Sequence, residues 1–274
     1  MPNRSEKNPG VNGYWNVVGL KSEDSDSENL WRAHLKEVYR TLTGRWAKKG
    51  RAGRMLKTDL YDEAVSMHDL FSLFEGASEN MVGTDVSFET ARIARRRLGQ
   101  TGRERCPIII SDARCQSFKS QVFDEILSNS TLDHFSNRTD LVASLGELHR
   151  ILKPGGILIV TLDNPWNPVV WVRNHLPYRF LTWLGIIPFY MGVTMSKSEL
   201  AEALESIGFE AADSTIIVHS PRALAIWVGS LLGRTKWEGM KACFGRLLRA
   251  LEGMERFPTK HLTGYFVAVK AIKL

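Results

Sequence analysis

Cysteine is scarce in this chain of 274 residues: Cys106, Cys115 and Cys243 form no C-x-x-C pair and no Cys/His ligand spacing. That excludes a disulfide framework and a structural zinc site, leaves no metal expected, and fits a reducing compartment. No apolar run approaches the roughly 20 residues of a membrane span. The amino-terminal stretch MPNRSEKNPGVNGYWNVVG holds no apolar core of signal-peptide length, so a cytoplasmic location is expected and the Asn129 and Asn137 glycosylation triplets carry no meaning. Charge of one sign is not in large excess: 36 Lys and Arg stand against 30 Asp and Glu, a net +6, too modest to indicate a nucleic acid partner. Repeats and low-complexity tracts are absent. What is present, 43% apolar and 24% charged residues, suits one folded domain of this length.

Residues 1–28 end in KSEDSDSE, a polar stretch that cannot offset its ordering entropy, and read as a flexible tail. The domain then runs over 29–274. It starts with a helical cap at 29–50, where Leu30, Trp31, Leu35, Val38, Tyr39, Leu42 and Trp46 recur at the helical period. Its polar face and the following KKGRAGR are basic, either a solvated surface or an anionic docking site. Beyond it, apolar runs alternate with helical patterns. MLKTDLY precedes a helix over DEAVSMHDLFSLFEG, MVGTDVS precedes FETARIARRRLGQ, and PIIISDA and FDEILSNS precede RTDLVASLGELHRIL, with KPGG before GILIVTLDNP. Such alternation implies βαβ crossovers, an α/β fold with a doubly wound, mostly parallel sheet. SKSELAEALESIGFE is a further helix and HLTGYFVAVKAIK a late strand.

In doubly wound sheets the ligand sits at the carboxyl ends of the strands, and here those ends are polar. The second run stops at Asp85, the third at Asp112, the fourth in Ser128, Asn129, Ser130, Thr131, Asp133 and His134, the fifth at Asp163 and Asn164. A carboxylate at the end of the second strand offers two acceptor oxygens to two ribose hydroxyls. Asp85 also suits a helix N-cap.

GTDVSFETARIARRRL, SDARCQSFKSQVFDEILSNSTLDHF and LHRILKPGGILIVTLDNP together resemble, in order and spacing, the later motifs of the class I S-adenosylmethionine-dependent methyltransferases, in their type 11-like form, over roughly 55–165. The resemblance implies a Rossmann-like fold with S-adenosyl-L-methionine as cofactor. Asp85, with Val86, would hold the ribose. Asp112 and Ala113 would border the adenine, Asp112 accepting from its exocyclic amine, and Ser128, Asn129 and Ser130 would line the cofactor beside the reacting centre. The first motif departs from the family: LKTDLYDEA carries Lys57 where an acid is usual, and no G-x-G loop. Side chains would then replace backbone. Thr58, Asp59, Asp62 and Glu63 are placed to meet the methionine ammonium and Lys57 its carboxylate, or the segment is a charged turn with Asp62 as N-cap.

The stretch from 165 to about 195, which opens with PWNPVVWVRNHLPYRFLTWLGIIPFYMG, reads as an aromatic lid insertion. Trp166, Trp171 and Trp183 would hold an apolar, aromatic or lipid-like acceptor and Arg173 and Arg179 an anionic head; the same composition suits ordinary core or peripheral contact with a membrane interface. PRALAIWVGSLLGR is a second apolar stretch with arginines at both ends. His134, beside Asp133, is the candidate base should the acceptor lose a proton. Two other functions keep the fold: a catalytically silent scaffold binding a membrane surface or partner, and a nucleotide-dependent oxidoreductase. The missing G-x-G-x-x-G weighs against the second. The sequence does not fix the oligomeric state.

Overall fold

The computed structural model describes residues 11–22, 30–47, 52–66, 69–74, 78–103, 105–177 and 192–274. Strands β1 (Ala52–Thr58), β2 (Ser78–Asp85), β3 (Ile108–Ile110), β4 (Phe123–Asn129), β5 (Leu152–Asp163), β6 (Phe209–Ile217) and β7 (Phe266–Lys273) form one sheet in the order β3-β2-β1-β4-β5-β7-β6. β1 to β5 pair in parallel, and β7 lies antiparallel between β5 and β6. The order reverses at β1, flanked by β2 and β4, the crevice where doubly wound sheets take ligands.

The apolar runs make strands because both faces of the sheet are covered. Alternate residues go to opposite layers. Met55, Leu127, Ile157 and Ile159 pack with the helix α2 (Leu30–Trp46) and with α4 (Phe88–Gln100). Leu56, Ile126, Leu158, Val160 and Leu162 pack with α5 (Arg138–Ile151) and α7 (Lys197–Ile207). Local signals set the helix ends: Ser87 accepts the Thr90 N–H at 3.1 Å to start α4, and Ser196 and Glu199 close a capping box on α7. α7 stops at Gly208, whose φ of 107° is the left-handed conformation of a helix C-cap. The remaining helices among the described residues are α1 (Val11–Ser22), α3 (Tyr61–Val65), α6 (Pro168–His175), α8 (Arg222–Gly233), α9 (Glu238–Glu252) and α10 (Lys260–Thr263).

Two expectations need correction, and two elements form where none is expected. Within the stretch read as a tail, residues 11–22 form α1, which packs on α4. Asn16 Oδ1 accepts the Ser87 hydroxyl at 3.0 Å and the Glu89 N–H at 3.3 Å. Gly19 lies so close to α4 that a β-carbon there would meet the Thr90 nitrogen at 2.8 Å. α1 is therefore fixed by tertiary contact rather than by its own periodicity. The single helix expected over DEAVSMHDLFSLFEG is a short α3 followed by a 3-10 turn, Phe71–Phe74. Finally, β6 and α9 went unread, β6 because its first half has the exposed, polar-rich character of an edge strand.

Candidate functional site

A cavity of about 1150 Å³ lies at the carboxyl edge of the sheet. Thr58 and Asp59 enter it from β1, Asp85 and Val86 from β2, Asp112 and Ala113 from beyond β3, and Asn129, Ser130 and His134 from the end of β4 and the turn after it. α1 and α2 add Tyr14, Trp15, Trp31, Leu35 and Tyr39; α6 and α8 add Val169, Val172, Arg173, Arg222 and Ile226.

The glycine-poor first motif makes its turn with an aspartate. Asp59 has φ 67°, and its carboxylate accepts the Tyr61 N–H at 2.7 Å. Short side chains that hydrogen-bond locally tolerate this left-handed backbone. Lys57 lies behind the cavity wall, 1% exposed, with its ammonium 2.8 Å from Glu63 and also donating to the Asp59 carbonyl. Burial works to lower the Lys57 pKa, but the charges of Glu63, Asp62 and Asp59 outweigh it and raise the value. The contact expected between Lys57 and a cofactor carboxylate is thus corrected: this cation, with Glu63, braces the turn from beneath. Asp62 is not the N-cap of α3; it accepts from Asn129 Nδ2 at 3.0 Å and meets Arg32 at 3.5 Å.

Asp85 sits on the wall with one oxygen accepting the Leu60 N–H at 2.9 Å and the other the Ser87 N–H at 2.7 Å. Each oxygen keeps a free lone pair. Burial raises its pKa against the pull of those two hydrogen bonds. Burial and the neighbouring Asp85 charge hold Asp59 well above the ordinary carboxylate range. Two carboxylates thus share one small region of wall, an arrangement that favours a cation or several hydroxyl donors.

Asp112 is also on the wall, but Arg114 clamps it, Nη2 to Oδ2 at 2.7 Å and Nε to Oδ1 at 3.1 Å, while reaching Asp140 at 3.2 Å. Burial raises the Asp112 pKa, and the Arg114 hydrogen bonds override it and lower the value. The acceptor with unused capacity nearby is Gln116, whose side-chain oxygen is buried without a donor and whose residue lines the cavity. Sequence reading passed over it because a glutamine in a loop carries no pattern. Asn129 Oδ1 is likewise buried, undonated and on the wall.

At the end of β4, Ser130 takes φ 48° and donates its hydroxyl to Asp133 Oδ2 at 2.7 Å. Ser128 is fully buried and off the wall, which corrects its expected place beside the cofactor. Asp133 is 1% exposed and behind the wall, also accepting the Asp163 N–H at 3.3 Å. His134 does line the cavity, its ring centre 4.7 Å from that of Trp15. Its Nε2 stands 3.9 Å from Asp133 Oδ1, beyond hydrogen-bond length, so the two do not form a bonded dyad.

The part of the cavity nearest β5 and β7 is different. Asp163, fully buried, is bound by the Arg173 guanidinium. Burial and then the Asp133 charge raise the Asp163 pKa. Arg222 lies over the rings of Tyr265 (4.9 Å), Trp31 (5.5 Å) and Phe266 (5.8 Å). Of the expected acceptor-binding residues that are described, only Arg173 lines the cavity. Trp166 and Trp171 point outward, 61% and 53% exposed, while Val169, Val172 and Leu176 of the same region line it. Arg179 and Trp183 lie outside the described residues. Among the described residues no cluster of His, Cys, Asp and Glu could hold a metal ion, and no helix is long and apolar enough to cross a membrane.

Residues 67–160 match the family model described as Methyltransferase domain. The ubiquinone/menaquinone biosynthesis C-methyltransferase UbiE of Bordetella avium is 29% identical over 161 residues, 57% of this chain and 59% of that protein. The chain spans about three fifths of the length of the curated relatives it matches. Among solved structures, the [4+2]-cyclase SpnF superposes with a TM-score of 0.60 at 18% identity, covering 91% of this chain and 84% of that one. The geranyl diphosphate C-methyltransferase of Streptomyces coelicolor A3(2), solved with S-adenosyl-L-homocysteine, gives 0.55 at 14% identity over 88% and 76%. At such identities the structural likeness shows the fold.

Proposed function

We propose that this chain, which belongs to the class I methyltransferases by its fold and its matched domain, transfers a methyl group from S-adenosyl-L-methionine to a small, largely apolar, aromatic or lipid-like acceptor. The observation that carries the reading is the pairing of Asp59 and Asp85 on one stretch of cavity wall beside two buried acceptors without donors, Gln116 Oε1 and Asn129 Oδ1. This donor-poor set fits the cofactor. Asp85 has two lone pairs for the ribose hydroxyls, Asp59 and Asn129 accept from the ammonium, and Gln116, beside Ala113, accepts from the adenine amine. When bound, the cofactor supplies an electrophilic methyl on a sulfonium. The chain's task is then to hold the acceptor in line and exclude water.

Trp31, Leu35, Val169, Val172, Ile226 and Phe266 give the rest of the cavity an apolar lining, which favours an acceptor with substantial hydrocarbon or ring surface at about 25 cal/mol per Å² buried. Should that acceptor lose a proton, His134 is the base, the only imidazole lining the cavity among the described residues. Calorimetry with S-adenosylmethionine, S-adenosylhomocysteine and NAD in turn tests the cofactor reading. Binding of the first two and not the third is expected; no binding of either would leave a silent scaffold, and NAD binding an oxidoreductase. For an acceptor found by screening for S-adenosylhomocysteine release, His134→Asn should lower kcat about 100-fold. Unchanged kcat removes the assignment.

A second reading, peripheral contact with a membrane that delivers the acceptor, rests on the outer faces of α6 and α8. Trp171, Leu224, Trp227 and Leu231 are exposed there, with Trp166 exposed just before α6, on the helices that line the cavity with Val172 and Ile226. Co-sedimentation with anionic phospholipid vesicles is expected, and its absence at low salt rejects this reading.

A further inference from the structure

Four arginines line the cavity, and among the described residues three of them face a carboxylate: Arg32 meets Asp62 at 3.5 Å, Arg114 meets Asp112 at 2.7 Å, and Arg173 binds Asp163. Arg222 has no carboxylate within ion-pair distance among the described residues. Its guanidinium lies on the rings of Tyr265, Trp31 and Phe266. Ring faces hold a guanidinium in place without neutralising it, so its charge and N–H donors stay available to the cavity.

The backbone that presents Arg222 is held in a conformation it would not choose. Val218, β-branched, has φ 62°, which is costly unless the surroundings dictate it. They do. Glu252 accepts the N–H groups of Val218 and His219, each at 3.1 Å, and the His219 ring is held by Thr263 at 2.8 Å and the Ile216 carbonyl at 3.1 Å. The chain leaves β6 through this turn and starts α8 with Arg222 in its first turn. Ala223 beside it also lines the cavity.

We infer that Arg222 is an anion-recognition residue: the acceptor carries a carboxylate or phosphate that docks on Arg222, while its apolar body lies along Leu35, Val172 and Ile226. This rests on the methyltransferase reading and adds to it the charge of the acceptor. From sequence the anionic head falls to Arg173 and Arg179. Arg173 is occupied by Asp163, which leaves the role to Arg222.

The test is calorimetry on the full chain saturated with S-adenosylhomocysteine, using octyl phosphate, octanoate and octanol as probes below their aggregation limits. Wild type should bind at least one of the two anions about ten-fold tighter than octanol, in line with a charge-assisted hydrogen bond. Which anion wins separates phosphate from carboxylate. Arg222→Met should erase the preference with S-adenosylhomocysteine affinity unchanged, and if it does not fold, Arg222→Gln, whose planar amide still stacks on the rings, is measured instead. A wild type that binds S-adenosylhomocysteine but shows no preference for either anion overturns the inference, as does a folded variant that keeps the preference. Failure to bind S-adenosylhomocysteine at all counts against the methyltransferase reading instead.

Discussion

The two ends of the cavity are built on opposite electrostatic principles. At the β1–β2 end, carboxylates face the cavity and the cation is hidden: Asp59 and Asp85 line the wall while Lys57 sits behind it, bonded to Glu63. At the β5–β7 end a carboxylate is hidden and cations face the cavity: Asp163 is fully buried while Arg173 and Arg222 line the wall. A buried group of opposite sign supports one inward-facing residue at each end, Lys57 beneath Asp59 and Asp163 beneath Arg173, while Arg222 rests on aromatic rings. The contrast teaches that a buried ion pair can act as a foundation that sets which sign the cavity presents, even where it adds little net stability.

The largest effect should come from removing a foundation. Lys57→Met leaves Glu63 buried without its partner, and breaking such a pair costs roughly 3 to 5 kcal/mol. Thermal unfolding should show a drop of several degrees, and a Tm close to wild type would mean the pair does not support the turn.

Next in size is Asp85→Ala at the acidic end. Loss of hydrogen bonds from a charged acceptor should weaken S-adenosylmethionine binding by roughly 1.5 to 3 kcal/mol in a calorimetric titration. Unchanged affinity in a folded variant would remove Asp85 from the cofactor site.

Asp59→Asn sharpens the comparison because stability and binding should move in opposite directions. Burial and the Asp85 charge raise the Asp59 pKa in the fold. The fold therefore favours the protonated form, a contribution present at low pH and lost as pH rises through the raised pKa. At neutral pH the amide relieves that penalty, so Tm should rise by about 2 °C, while affinity for the cationic cofactor falls about ten-fold. In wild type, the cofactor ammonium arriving at Asp59 displaces its proton, so affinity should climb as pH rises through the raised carboxylate range. Titrations in buffers of different ionisation enthalpy would detect the released protons, and Asp59→Asn should flatten the profile.

The smallest effect is expected outside the cavity. Trp171 is 53% exposed and stacks on His175 at 4.2 Å; Trp171→Ala should change stability by no more than about 0.5 kcal/mol. A larger loss in thermal unfolding would mean that its ring is packed more deeply than its exposure indicates.

The alternation of apolar runs and helical patterns determined the doubly wound sheet, because strands buried on both faces and helices covering them leave a mark on every residue in turn. The polar stops at Asp85, Asp112 and Asn129 were legible because their runs end at the carboxyl edge beside the crevice, whereas Ser128 and Asp163, read in the same way, are buried off the wall. The late strand at β7 and the capped helix α7 were also readable, from alternation and from Ser196 and Gly208. Tertiary structure alone decided which charges face inward. Lys57 and Asp59 stand two places apart on one segment, yet one is behind the wall and the other on it, because the left-handed turn at Asp59 redirects the chain. Likewise Arg173 and Arg222 look alike in sequence, and only the approach of Asp163 to the first separates them. Local pattern fixes which residues are buried or at strand ends. The sign of a cavity depends on partners distant in sequence, such as Asp163 for Arg173 and Asp85 for Asp59, which only the packed fold brings within reach.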